Sequence, residues 1–132
     1  MDLVSIRIIT GDVARLVGFY ERATGVRAEW ATEDFAELRT TGGTLAIAGT
    51  RTVALFAAGS ARPAENHSVI TEFRVDDVDR VHENLRGFLG EVVAGPTTMP
   101  WGNRSLLFRD PDGNLVNFFT PVTAAAVAKF AR

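Results

Sequence analysis

Cysteine is absent from this sequence. That excludes disulfides, thiolate metal centres and cysteine nucleophiles, and it fits a cytoplasmic protein. Histidine is nearly absent: His67 and His82 are the only two, so a metal site would have to lean on carboxylates. No apolar run approaches the roughly 20 residues that cross a bilayer, and the N-terminus lacks the basic-then-apolar layout of a signal peptide. A dominant charge of one sign is also missing. A net charge of −2 gives no electrostatic case for nucleic acid or an anionic membrane as partner. There is no Ser-His-Asp arrangement, phosphate loop or nucleotide fingerprint. What remains is 132 residues with 46% hydrophobic and 23% charged content, the balance of one soluble domain able to bury its own core.

The most informative stretch is 108–119. Asp110-Pro111-Asp112-Gly113-Asn114 is a turn, because Pro111 presets φ and Gly113 tolerates a positive φ. Asp110 and Asp112 are turn formers rather than acids. Residues 105–108 and 115–120 read as the flanking strands of a hairpin. In the second strand Asn117 shares a face with Leu115 and Phe119, while Val116 and Phe118 occupy the other face.

Earlier in the chain, residues 3–9 alternate, with Val4, Ile6 and Ile8 on one face and Ser5, Arg7 and Ile9 on the other. Asp12 is a helix N-cap, and apolar residues from Val13 to Ala23 follow at helical spacing up to Gly25, a helix stop. Residues 26–31 and 35–40 read as strands. Leu45-Ala46-Ile47 and Val53-Ala54-Leu55-Phe56 are either two strands or one strand with a bulged continuation. Residues 58–67 lack periodicity and read as a linker. The pattern then restarts. Ile70, Glu72 and Arg74 alternate with Thr71, Phe73 and Val75, Asp77 caps a helix, and helical spacing runs to Gly90. Residues 91–94 are a strand, and 95–102 form a loop carrying Trp101. The Ala-rich 122–132 is either a short helix or a frayed tail.

A shift of 65 places Asp12-Val13 on Asp77-Val78, Gly25 on Gly90 and Arg7 on Glu72. Each half therefore reads β-α-β-β-β, with residues 2–57 as the first module and 68–121 as the second, within a single domain spanning 1–132. A half of that size buries a helix-covered sheet poorly alone, so the halves are expected to pair, within the chain or by exchange across a homodimer.

This repeat, the Asp-Pro-Asp-Gly-Asn hairpin and the Val75-Asp76-Asp77-Val78-Asp79 run resemble the vicinal oxygen chelate superfamily of glyoxalases, bleomycin-resistance proteins and extradiol dioxygenases. The resemblance implies an α+β fold of two paired βαβββ modules curling a mixed sheet into a cup. It implies a cup interior receiving Ser5, Arg7, Ile9, Ile70, Glu72, Arg74, Leu115, Asn117 and Phe119. Metal-dependent relatives place four ligands at points that fall here on Ser5, on Ile47 (or near Leu55 and Phe56), on Ile70 and on Asn117. Those side chains do not make a divalent site, so no metal and no cofactor are expected.

The first functional expectation is a metal-free protein that binds an apolar or aromatic small molecule, with Arg7, Glu72, Trp101, Arg104, Asn117 and Phe119 as contacts. Arg7 and Glu72 either touch ligand or form a structural salt bridge, to each other, to Arg74 or to Arg104. Trp101 either stacks on a flat ligand or packs as a lid or dimer contact, and Trp30 shares that ambiguity. The second is a lyase, isomerase or dioxygenase with an atypical site, in which Glu72 serves as metal ligand or as a general base activated by burial. Glu37 is a further strand carboxylate. The third is a dimeric interaction module whose cup is filled by its own side chains.

Overall fold

The computed structural model describes residues 1–131, so Arg132 of the expected tail lies outside the described residues. The chain divides into two compact units, Met1–Asn66 and a second beginning at His67. The first contains β1 (Ser5–Thr10), α1 (Val13–Thr24), β2 (Glu29–Thr32), β3 (Phe35–Arg39) and β4 (Thr44–Gly49), followed by a 3-10 turn over Thr50–Leu55. The second contains β5 (Ile70–Arg74), α2 (Val78–Asn84), β6 (Glu91–Thr98), β7 (Asn103–Arg109), β8 (Leu115–Pro121) and α3 (Ala124–Lys129). Each unit holds an open four-stranded sheet, ordered β1-β4-β3-β2 in the first and β5-β8-β7-β6 in the second. β1 with β4 and β5 with β8 pair parallel, and every other neighbour pairs antiparallel. This is the α+β class of repeated βαβββ modules.

Local chemistry explains why the two crossovers match. The carboxylate of Asp12 accepts the backbone N–H of Arg15 at 3.1 Å, and that of Asp77 accepts the N–H of Arg80 at 3.1 Å. Each aspartate thereby satisfies a donor that the first helical turn leaves unpaired. At its far end α1 stops on Gly25 in the left-handed region, φ 72°.

In each sheet one face is covered by the helix. In the first module Leu16, Val17 and Tyr20 of α1 are buried with Ala36, Leu38, Leu45 and Ile47 of β3 and β4. In the second, Val78 and Leu85 are buried with Leu106, Phe108, Val116 and Phe118. The ring of Phe118 meets Phe108 and Phe73 edge-on, at 4.9 and 5.5 Å between centroids. The strand period of two sends the alternate side chains to the opposite, open face.

Several expectations need correction. Val53–Leu55 is neither a strand nor a bulged continuation; it lies in the 3-10 turn, where Val53 alone is buried. The second strand starts at Glu29 rather than residue 26. α2 ends at Asn84, well short of Gly90, because Gly87 takes φ +82° and breaks the helix. β6 runs on to Thr98, through Gly95-Pro96 that looked like loop. It is an edge strand with register shifts on either side of Ala94, which is where a proline fits in a sheet. The C-terminal alternative resolves as a helix, α3, capped by the Thr123 hydroxyl.

Candidate functional site

The open face of the second sheet carries the most chemistry. Parallel pairing sets Glu72 of β5 beside Asn117 of β8, and antiparallel pairing sets Asn117 beside Leu107 of β7. Asn117 Nδ2 donates to Glu72 Oε2 at 2.8 Å. Asn117 Oδ1 is buried and has no hydrogen-bond donor among the described residues. Ile70 pairs with Leu115 on one side of this row, and Arg74 with Phe119 on the other. So the polar pair is bordered by aliphatic side chains at one end and a charged and aromatic pair at the other.

That second end is partly covered by the chain itself. The Phe119 ring packs on Phe130 at 5.2 Å, and Arg74 donates to the Phe130 carbonyl at 2.7 Å. α3 is tied back through Gly102, whose carbonyl accepts the N–H groups of Val122 and Thr123. Phe119 is therefore buried under Phe130, and the accessible part of the face centres on Ile70, Glu72 and Asn117. Glu72 is exposed, so the burial on which its role as a base was to rest is absent.

Arg104 belongs elsewhere. It shares the face of Leu106 and Phe108, the helix-covered one, and grips Asp79 of α2 through Nε and an NH2 nitrogen at 2.8 and 3.0 Å. Hydrogen bonding to the guanidinium, more than the charge alone, holds the Asp79 carboxyl below its ordinary range, and the same bond raises Arg104. Arg104 is thus a strut between β7 and α2, not a contact for the open face. Neither Arg74 nor Arg104 is the ion-pair partner of Glu72, whose hydrogen bond goes to Asn117. Trp101 lies in the β6–β7 turn and is 67% exposed. Trp30 pairs with Ala36, which places it on the helix side of the first sheet.

In the first module the equivalent row is Arg7, Ala46 and Glu37. The Arg7 guanidinium lies over the rings of Phe35 and Phe56, at 4.6 and 5.2 Å from their centroids. Glu37 accepts a bond from Arg39 at 3.4 Å. A separate concavity of about 380 Å³ opens at the start of α1, between Asp12, Asp34 and Arg51. Three of its charged groups are engaged, Asp12 as the helix cap and Asp34 with Arg51 at 3.3 Å.

The metal points implied by the sequence resemblance are testable against this register. Ile47 is fully buried on the helix side, and Leu55 and Phe56 sit at the 3-10 turn. Ala46 stands beside Arg7 as Asn117 stands beside Glu72, so the matching position in the first module is Ala46. Ser5, Ala46, Ile70 and Asn117 supply no imidazole and no carboxylate, and two of them have no donor atom. This set does not fit a divalent ion. Among the described residues no three His, Cys, Asp or Glu side chains gather as an alternative.

Comparison with known proteins agrees with the architecture. The uncharacterized protein YraH of Bacillus subtilis (strain 168) is 26% identical over 125 residues, covering 90% of this chain and 98% of that protein. A glyoxalase/bleomycin resistance protein/dioxygenase family enzyme from Burkholderia phytofirmans PsJN superposes with a TM-score of 0.81 at 17% identity, covering 92% of this chain and all 100% of the other. A glyoxalase-related enzyme from Fulvimarina pelagi superposes with a TM-score of 0.76 at 19% identity, covering 94% of each chain. A sequence model of the Glyoxalase/Bleomycin resistance protein/Dioxygenase superfamily matches residues 2–118. With that match spanning nearly the whole chain, and with the duplicated module in place, the chain belongs to this superfamily.

Proposed function

We propose that this protein binds an apolar or aromatic small molecule without a metal, on the open face of the second sheet. The observation that carries the reading is the Glu72–Asn117 pair, a polar spot with an exposed carboxylate set among Ile70, Leu107 and Leu115. A few placed polar groups within an apolar lining are the ordinary make-up of a small-molecule site. The unsuitable donor set at the four metal points favours binding over the metal chemistry of other superfamily members. Exposed Trp101 is a further candidate contact of this face, and the ring-stacked Arg7 is a candidate contact of the first module's own open face.

We also propose a cytoplasmic homodimer. No helix among the described residues is long and apolar enough to cross a membrane. β1 and β5 are each the outer strand of their sheet, with Ile6, Val69 and Ile70 exposed on or beside them. A lyase, isomerase or dioxygenase with an atypical site is the second reading, favoured by the fact that two of the structural relatives are called enzymes. The covering of Phe119 by Phe130 is what favours the third, a self-filled interaction module.

The test combines metal analysis of the purified protein, thermal shift against Ni²⁺, Zn²⁺, Mn²⁺, Fe²⁺ and a chelator, and titration of the ¹⁵N-labelled chain with 2-naphthol. A binder of the native state alone raises apparent stability by mass action. The expected result is no stoichiometric metal, no metal-dependent shift, and saturable movement of the Ile70, Leu107 and Leu115 amides. A stoichiometric metal whose removal lowers the melting temperature overturns the proposal, as does an unmoved second-sheet face.

A further inference from the structure

We infer that Phe130 fills, from within the chain, a subsite of the second sheet's open face whose ligand is an aryl-alkanoate, and that the far end of α3 lifts when that ligand takes its place. The subsite is the pair Arg74 and Phe119. The inference rests on the binding reading above and adds the chemical class of the ligand and the cover that it displaces.

Parallel pairing of β5 with β8 sets a guanidinium beside a ring, Arg74 next to Phe119. A single residue engages both. The Phe130 ring meets Phe119 at 5.2 Å between centroids and 53° between planes. The Phe130 carbonyl oxygen accepts from Arg74 Nη1 at 2.7 Å. In phenylalanine the ring and the carbonyl carbon are joined through Cβ and Cα. That is the skeleton of 3-phenylpropanoate, so the chain presents to its own sheet the shape of a small aromatic acid.

Charge favours the exchange. Arg74 is exposed, and among the described residues its partner is a neutral carbonyl rather than a carboxylate. Glu72, two residues back on the same face, bonds Asn117 instead. A carboxylate accepts two parallel N–H bonds from one guanidinium and brings the compensating charge, where a peptide carbonyl accepts one bond and brings none. The ring contact is equivalent for Phe130 and for a free phenyl group, so the carboxylate decides. The cover is also lightly held. α3 has six residues, too few to persist on its own hydrogen bonds, and Ala126 is the one buried residue within it. Its near end is tied down where the Gly102 carbonyl accepts from Val122 and Thr123. Its far end is fixed by the two Phe130 contacts, the same two that the ligand replaces. A site that is occupied by its own chain binds with an affinity reduced by the fraction that stands open, so removing the occupant tightens binding.

The test titrates the full ¹⁵N-labelled chain with 3-phenylpropanoate and with 3-phenylpropanamide, its uncharged isostere, keeping 2-naphthol as the reference for the rest of the face. Phe130→Ala should bind 3-phenylpropanoate at least fivefold tighter than the wild type and at least tenfold tighter than the amide. Adding Arg74→Gln to Phe130→Ala should level the acid and the amide. Movement of the Ile70, Leu107 and Leu115 amides by 2-naphthol reports that each variant is folded. In the wild type, the Val127 and Phe130 amide resonances should move toward their unfolded positions as the acid saturates the Phe119 amide, and this arm needs no variant. Binding of the acid to Phe130→Ala alone also supports the inference, as a site that the wild type keeps closed. The inference is overturned if Phe130→Ala fails to tighten binding, if the acid has no advantage over the amide, if that advantage survives Arg74→Gln, or if α3 resonances stay in place at saturation. In those cases the binding proposal stands as long as 2-naphthol still moves the second-sheet amides. If no probe moves them, both fall.

Discussion

Replacing Gly102 with alanine should be the most costly single-methyl addition at the glycines of the second module. Gly102 has φ +95° in the β6–β7 turn, donates to the Met99 carbonyl at 2.9 Å, and accepts from Val122 and Thr123. A Cβ built on it would collide with Thr123 Oγ1 and stand 3.0 Å from Ala126 Cβ and 3.1 Å from Thr123 Cβ. A left-handed conformation costs a non-glycine residue about 1–2 kcal/mol. Swinging the Thr123 hydroxyl away also breaks its acceptance of the Ala126 N–H, the N-cap of α3, at about 1 kcal/mol. Crowding of Ala126 adds about 1 kcal/mol or more. The sum is about 3–5 kcal/mol, or a fall in melting temperature of about 12–20 °C for a chain of this size. Gly113 is the internal control. It has φ +83° but nothing within 4 Å of its added Cβ, so Gly113→Ala should cost only the conformational part, about 1–2 kcal/mol. Urea and thermal unfolding of both variants measure the difference, and a Gly102→Ala, Thr123→Ala double variant should recover part of the loss. Equal losses at the two glycines, or no recovery in the double variant, would refute the reasoning.

Two further outcomes follow from the second module. Phe118→Ala removes a fully buried ring that meets Phe73 and Phe108 edge-on, and should cost about 3–5 kcal/mol in urea unfolding; a loss under about 1 kcal/mol would mean that the aromatic cluster is not the core. Asp79 has a folded-state pKa lowered by its bond to Arg104, so its contribution is present above the ordinary carboxylate range and is lost as pH falls through the folded value. Carbon-detected titration should find Asp79 among the last carboxylates to protonate in acid, and Asp79→Asn should flatten the acid limb of the stability curve; an ordinary titration midpoint for Asp79 would contradict the bond.

What could be read from the sequence was local. Asp12, Asp77, Gly25 and the Asp110–Asn114 turn act within a few residues of themselves, and alternation placed Asn117, Leu115 and Phe119 on one face. What could not be read depends on distant partners or on phase. Ala46 emerged as the counterpart of Asn117 only through the parallel register of β1 with β4, and no signal along the strand distinguishes it from Ile47. The Glu72–Asn117 bond spans 45 positions and exists because β5 and β8 pair in parallel. The Arg104–Asp79 bond spans 25 positions and exists because β7 begins at Asn103 and packs beside α2, which a stretch with two prolines conceals. Val53–Leu55 has too short an apolar run to carry any period, and it became a 3-10 turn.

The margins of the two sheets have a consequence in time. β2 and β6 end their sheets with register shifts, and β6 adds Pro96, devices that discourage a further strand from joining. β1 and β5 have no such guard, and both run in unbroken register with their inner neighbours. β5 ends at Arg74, but β8, its neighbour in the sheet, does not begin until Leu115, about 40 residues later. At the pace of translation that interval lasts about 2–8 s. For those seconds β5 has no strand of its own sheet to pair with and is open to any nascent chain on a neighbouring ribosome. Slowing synthesis within residues 91–109 should therefore lower the soluble yield of this protein more than the same pause placed after Pro121.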